Sequence, residues 1–243
     1  MTDKTKRENA LTKLLEIAHD GSIPLYAYAD DYHKGGRNWP VEWENILTCS
    51  HFRTQYDRQC VLNETLERLV DVNFPSSVEQ VNKEKGLVRL ILDAGANPNF
   101  YSSSYNNHIF DKFLLKRKSY VALEIAKTDG FTGPHNAENT FDILAGSLGF
   151  YLQWGKPYPG DTNEESAISA QNCSDRKELV HLLFQQGLYP RNENVFQALV
   201  PVVLEKDPDF FEKKKKQVTT QLSLAKTPLQ IYNALMGKEK ERS

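Results

Sequence analysis

The sequence predicts an all-α fold, a solenoid of helix pairs with insertions. Three observations carry that prediction. First, a helix-like run ending in Gly, with Pro three residues later, occurs twice in nearly the same letters. The copies are Leu87-Val88-Arg89-Leu90-Ile91-Leu92-Asp93-Ala94-Gly95-Ala96-Asn97-Pro98 and Leu179-Val180-His181-Leu182-Leu183-Phe184-Gln185-Gln186-Gly187-Leu188-Tyr189-Pro190. Second, apolar residues elsewhere recur with helical period. Third, the Val/Ile/Thr-rich runs bounded by turns that mark strands are missing. Self-similarity within one chain points to a repeat architecture, in which each unit buries its apolar side against its neighbours.

Taken in order, a weaker copy of the motif comes first, Leu14 to Gly21 with Pro24, and another runs from Val121 to Gly130 with Pro134. Gly ends each run because it takes the left-handed conformation of a helix C-cap without a steric cost, and the Pro stops the helix from restarting. Between these runs lie four partner stripes: Leu62, Leu66, Leu69 and Val70; Ile109, Phe110, Phe113 and Leu114; Phe141, Leu144, Ala145 and Leu148; Val195, Phe196, Leu199 and Val203. Asn63-Glu64-Thr65 and Glu138-Asn139-Thr140 read as polar helix starts, and Pro208 is placed to open a further helix.

The terminal glycines set the spacing. Gly95 to Gly130 is 35 residues and Gly21 to Gly95 is 74, one and two units of about 33–37 residues. Gly130 to Gly187 is 57, a unit with a surplus. Trp154-Gly155-Lys156-Pro157-Tyr158-Pro159-Gly160-Asp161 is rich in turn formers, so residues 149–173 read as an inserted loop. The expected organisation is a single helical-repeat domain over 1–243: irregular N-terminal units at 8–83, the clearest repeats at 84–206, capping helices at 207–236 and a flexible tail at 237–243.

The segment Glu84 to Asn99, with Leu87-Val88-Arg89-Leu90-Ile91-Leu92-Asp93-Ala94-Gly95-Ala96-Asn97 at its centre, resembles the second helix and following turn of an ankyrin repeat. Asp175 to Asn192 is similar in degraded form, with Leu188-Tyr189-Pro190-Arg191 replacing the usual turn. The Thr-Pro-Leu-His signature of the first helix is absent, which implies that neighbouring units are tied together differently. The resemblance implies stacked helix pairs, polar end units, and protein binding through hairpin tips and first helices on a concave side. It implies no catalytic group. Degenerate arrays of this family with insertions occur among effectors that intracellular bacteria or viruses deliver into host cells.

Bulk composition fits a thin continuous core: 40% of residues are hydrophobic and the mean hydropathy is −0.57. A net charge of −2 supplies no global field toward nucleic acid or anionic lipid. Three scattered cysteines, Cys49, Cys60 and Cys173, form no disulfide framework and favour a reducing compartment. The N-terminus is charged and lacks the apolar core of a signal peptide, and no apolar stretch approaches the ~18 residues of a membrane span. The expected location is the cytoplasm, or the host cytosol for a delivered effector.

Candidate chemistry is sparse. Cys49 and His51 pair a thiol with an imidazole, but side chains two apart point different ways. Cys49, His51 and Cys60 lack zinc-site spacing, and His33, His108, His135 and His181 are isolated. No metal site and no cofactor is expected. His181 reads as exposed or groove-lining, and Lys213–Lys216 as a solvated helix face.

The aromatic residues say more. Phe100, Tyr101 and Tyr105 follow the strongest repeat, where a hairpin tip belongs. Phe131 follows the Gly130 run, and Tyr151, Trp154 and Tyr158 sit in the proposed insertion. Tyr and Trp bring large contact area at little entropic cost, so these seven are the expected partner-binding residues. The N-terminal group Tyr26, Tyr28, Tyr32, Trp39 and Trp43 reads as packing. The expected function is non-enzymatic capture of another protein on the concave face, with inhibition of that partner as one outcome. An enzyme using Cys49/His51 or the inserted loop is the alternative from a different class.

Overall fold

A computed structural model describes residues 3–20, 55–71, 75–154, 163–217 and 227–235. Among them the chain is helical apart from one short hairpin. The elements are α1 (Asp3–Asp20), α2 (Gln55–Arg68) with a 3-10 turn at Leu69–Asp71, and α3 (Val78–Ala94). The hairpin β1 (Tyr101–Ser102) and β2 (Asn107–His108) follows, then α4 (Ile109–Leu115), α5 (Ser119–Ala126) and α6 (Ala137–Trp154). The last are α7 (Asn163–Gln185), α8 (Glu193–Lys206), α9 (Phe210–Gln217) and α10 (Pro228–Leu235).

The packing follows the repeats. Helices α1, α3, α5 and α7 touch in succession, and α4, α6 and α8 do the same beside them. Within pairs, α2 lies on α3, α4 on α5, and α6 on α7. The four Gly-ended copies of the sequence motif therefore fall on consecutive helices of one row. The partner stripes fall on α2, α4, α6 and α8, and the core they enclose is buried throughout. Helix α5 has no exposed face: every residue from Ser119 to Ala126 is buried. Val121, Leu123 and Ile125 are fully enclosed, each stabilising the fold by about 1.5–3 kcal/mol relative to exposure. Because α5 has only eight residues, the longer α3 and α7 on either side also touch each other.

Local signals set the ends. Ser77 caps α3 by accepting the Gln80 N–H at 3.2 Å, while Gln80 Oε1 accepts the Ser76 N–H at 2.7 Å. Three helix ends then close with the same pair of backbone bonds. At Gly95, Ala96 N bonds Ile91 O and Gly95 N bonds Leu92 O; at Gly187, Leu188 N bonds Leu183 O and Gly187 N bonds Phe184 O. At the end of α4, Lys118 N bonds Phe113 O and Arg117 N bonds Leu114 O. The left-handed residue is Gly at the first two (φ 120° and 81°) and Arg117 at the third (φ 61°). A Cβ in that conformation costs about 1–2 kcal/mol.

Side chains also link successive helix ends. Asn99 Nδ2 donates to Gly130 O at 2.7 Å, and Asn99 Oδ1 accepts the Thr132 N–H at 2.9 Å. Gln186 donates to Ala126 O at 3.2 Å and Lys214 to Gln185 O at 3.1 Å. Each link runs from one unit to its neighbour and satisfies a carbonyl at or just beyond a helix end.

Several sequence expectations change. The 149–173 insertion is helical on both sides: α6 continues to Trp154, and α7 begins at Asn163. The polar run Asn163–Cys173 is rich in helix formers, and Ile168 and Asn172 bury one face of it. Asn63 does not start a helix but lies inside α2, where its buried side chain accepts the Asn97 N–H at 2.8 Å. Two strands of two residues each exist where none was expected. The N-terminal aromatic group and the 237–243 tail lie outside the described residues.

In urea titrations, Gly187→Ala is expected to lower the unfolding free energy by about 1 kcal/mol and Arg117→Gly to raise it by about the same amount. Changes of the same sign would contradict a shared left-handed cap.

Candidate functional site

Among the described residues, the hairpin after α3 carries the exposed large aromatic side chain, Tyr101. Tyr101 pairs with His108 and Ser102 with Asn107, and Ile109 N donates to Phe100 O at 2.9 Å. Asn106, at φ 50°, turns the tip, a conformation Asn tolerates. The inner side is fixed: buried Ser102 donates to Glu67 at 2.7 Å and accepts the Tyr105 N–H at 3.1 Å. Tyr105 O–H donates to Asp71. Burial, followed by the Asp71 carboxylate, pushes the Tyr105 phenol well above its ordinary value, so it remains a donor.

The outer side is available. Tyr101 is 46% exposed, and its hydroxyl donates to Asn106. Its ring stands edge-on to His108 at 5.3 Å, and His108 stacks on His135 at 4.4 Å with the planes 16° apart. Below this stack, buried Asp111 accepts the Thr140 O–H at 2.9 Å and the Asn136 N–H at 3.4 Å, joining α4 to the start of α6. Burial raises the Asp111 carboxyl, against the lowering effect of the Thr140 bond.

Helix α4 extends this surface away from the hairpin. Lys112 sits 4.6 Å above the Tyr105 ring, a cation–π contact. Lys116 lies 3.3 Å from Asp71. Leu115 is 48% exposed; it and Tyr101 are the large exposed hydrophobic residues among those described.

The opposite row carries a buried charge network. Lys118 Nζ donates to Leu69 O at 2.7 Å and to Glu84 at 2.8 Å, while Tyr120 O–H donates to the other Glu84 oxygen at 2.8 Å. Burial lowers the Lys118 ammonium, and Glu84 opposes that shift. Arg89 grips one oxygen of buried Glu124 at 2.6 and 3.0 Å. Lys85 donates to Asp175 at 2.9 Å and lies 4.0 Å from Glu124. Arg176 donates to Ser119 at 2.9 Å. These groups join α3, α5 and α7.

Other chemistry is thin among the described residues. No group of three His, Cys, Asp or Glu is placed to hold a metal. Cys60 and Cys173 are free thiols, and burial raises Cys173. A cleft of about 340 Å³ between α1 and α3 is lined by Lys6, Lys13, Glu16 and Asp93 among others, with Lys6 and Asp93 paired at 2.8 Å. Cys49 and His51 lie outside the described residues.

The seven expected binding residues separate. Tyr101 is exposed as expected. Phe100 and Phe131 pack against the core, Phe131 with its ring 5.0 Å from Phe110. Tyr105 also packs against the core, with its hydroxyl held by Asp71. Tyr151 and Trp154 fall in the last turn of α6, and Tyr158 lies outside the described residues. His181, expected at the surface, is only 8% exposed: it sits edge-on to Phe210 at 5.8 Å, because α9 folds over α7. Lys112, Leu115 and Arg117 were not singled out, and His108 and His135, expected to be isolated, stack on each other because the hairpin brings residue 108 against the segment before α6. One signal was present in the letters: Leu114-Leu115-Lys116-Arg117-Lys118 joins two helices without the Gly that the other copies use.

Comparison with protein-family models, curated protein sequences and solved structures finds no match.

Two measurements probe the buried groups. Glu84→Ala leaves the Lys118 ammonium buried without its partner and is expected to cost about 3–5 kcal/mol of stability by denaturant unfolding, whereas Glu84→Leu with Lys118→Met recovers most of the loss. For His181, burial pushes the imidazole below its ordinary value of 6.5, and Lys206 adds to the effect. The folded state therefore favours neutral His181. That stability is complete above the unfolded value and is lost as pH falls through the lower folded value. Between about pH 7.5 and pH 5, the wild-type protein should lose stability more steeply than His181→Gln. Parallel curves would exclude His181 as the source.

Proposed function

We propose that this chain is a protein-binding module, a helical-pair solenoid of ankyrin type that captures a partner on the side of its hairpin and first helices. The succession α1, α3, α5, α7 supports the architecture, because each of these helices carries one copy of the same Gly-ended motif. The side-chain links from Asn99, Gln186 and Lys214 supply ties between units that the missing first-helix signature leaves open.

One observation carries the binding side. Of Phe100, Tyr101, Tyr105 and Phe131, three lean inward on the core, while Tyr101 stays nearly half exposed on a hairpin whose inner face is bonded down. A Tyr held this way offers contact area with its entropy already reduced. The reading assigns the chain no catalytic group.

The test is a comparison of partner capture by the full chain and by Tyr101→Ala, followed by titration of each recovered partner. Tyr101→Ala is expected to weaken at least one specific partner by more than about tenfold and to leave the melting temperature within about 2 °C. Equal affinity for every recovered partner would remove Tyr101 as an anchor and with it the hairpin side as the binding side.

A further inference from the structure

We infer that the turn between α4 and α5 is a docking point for an acidic protein segment carrying an apolar side chain. The inference rests on the protein-binding reading and narrows it to a class of partner.

The argument starts from the mismatch at residue 117. Three helix ends share one hydrogen-bonding pattern, and at two of them Gly fills the left-handed position. At the third the chain places Arg117, whose Cβ is disfavoured there. Arg117 is exposed, and among the described residues its guanidinium makes no ion pair or hydrogen bond. The cap's two backbone bonds and the buried Lys118 that follows hold residue 117 in this conformation, but the guanidinium takes no part in them. The turn accounts for the backbone at 117 and not for Arg in place of Gly, which leaves the guanidinium for a role outside the fold.

The neighbours define that role. Leu115, two residues before Arg117 in the chain, is 48% exposed. Lys112 on the same short helix rests on the Tyr105 ring and not on a carboxylate. Lys116 reaches Asp71 at 3.3 Å with its side chain 48% exposed. Two cations without a carboxylate partner among the described residues, Lys112 and Arg117, thus lie on either side of the exposed Leu115 in the sequence. The complementary ligand has carboxylates on either side of an aliphatic or aromatic side chain. Base stacking is poorly served, because Lys112 covers one face of Tyr105 and the Tyr101 ring abuts His108. Asp71 beside Lys116 disfavours a flat anionic membrane surface.

A random-peptide display library panned on the full chain tests the idea, with phosphatidylserine–phosphatidylcholine vesicles (1:3) as the competing anionic probe. The expected peptides carry Asp or Glu close to Leu, Ile or Phe, and bind as synthetic peptides more tightly than the vesicles do. Arg117→Glu with Lys112→Glu should weaken them by about tenfold or more, and high salt should weaken the wild-type complex. Arg117→Gly removes only the cation while easing the turn, so it should weaken binding at undiminished stability. Charge reversal at Lys213, on α9, should leave binding unchanged. Peptides without acidic bias, recovery of no peptide, preference for the vesicles, or binding unmoved by Arg117→Gly would each overturn the inference. Binding that needs Tyr101 but not Arg117 would overturn it and leave the hairpin reading standing. Binding indifferent to both residues would remove both.

Discussion

The ammonium of Lys118 is the point on which the arrangement turns. It is sealed from solvent and bonds the last carbonyl region of α2 through Leu69, and α3 through Glu84. Tyr120, two residues along, holds the second Glu84 oxygen. An ammonium in this environment is tolerable only with its acceptors in place. The triad therefore permits one register between α2, α3 and the start of α5. The left-handed Arg117 is part of the same device: it reverses the chain after α4, and its neighbour Lys118 carries the 6→1 bond of that cap. The strain at 117 and the buried cation at 118 belong to one turn.

From that turn the chain enters α5, which is buried on all sides. A helix with no polar face cannot be stable alone and must be enclosed. Here α3, α4 and α7 enclose it. The polar residues within it, Ser119 and Glu124, are bonded by Arg176 and Arg89 from helices on either side. The apolar core thus runs continuously from α1 to α10, while charged and amide side chains fix how far each helix slides past the next. Hydrophobic burial supplies most of the stabilisation, and the polar links supply the register.

Features encoded locally were legible in the letters. Gly95, Gly130 and Gly187 all have positive φ, as expected of residues that close a run, and the four stripes on α2, α4, α6 and α8 are buried as their period implies, Ala145 and Val195 only partly. Features set by distant contacts were not. The turn formers at 155–160 are a strong local signal, and they drew the flanking polar helical residues into a supposed loop. Strands of two residues are too short to show alternation. Asn63 resembles a cap in sequence, but its partner is the Asn97 N–H, 34 residues away. His181 looks like a surface residue until α9 folds across it. Arg117 is the clearest case: nothing local favours a left-handed Arg, so only the assembled turn reveals it. Of the aromatic candidates, the letters named Tyr101 but could not separate it from Phe100 and Phe131, because inward or outward orientation depends on the hairpin's register.

The two sides of the molecule differ in how their charges are used, which bears on where a partner can bind. Along α3, α5 and α7 the ionic groups pair largely with one another, although buried Glu124 Oε1 and Asp175 Oδ2 have no hydrogen-bond partner among the described residues. Arg89 holds Glu124, Lys85 holds Asp175, Lys127 and Lys206 share Glu178, and Lys177 bonds Glu205 from α8. A ligand arriving there would have to displace bonds already made, several of them partly buried. On the hairpin and α4 side, among the described residues, Lys112 faces an aromatic ring, Arg117 has no carboxylate partner, and the large exposed apolar groups are Tyr101 and Leu115. Binding there breaks fewer internal contacts and removes apolar surface from water. On the proposed binding reading, this asymmetry favours the hairpin side, where Tyr101 and Leu115 are already exposed and little internal bonding has to break.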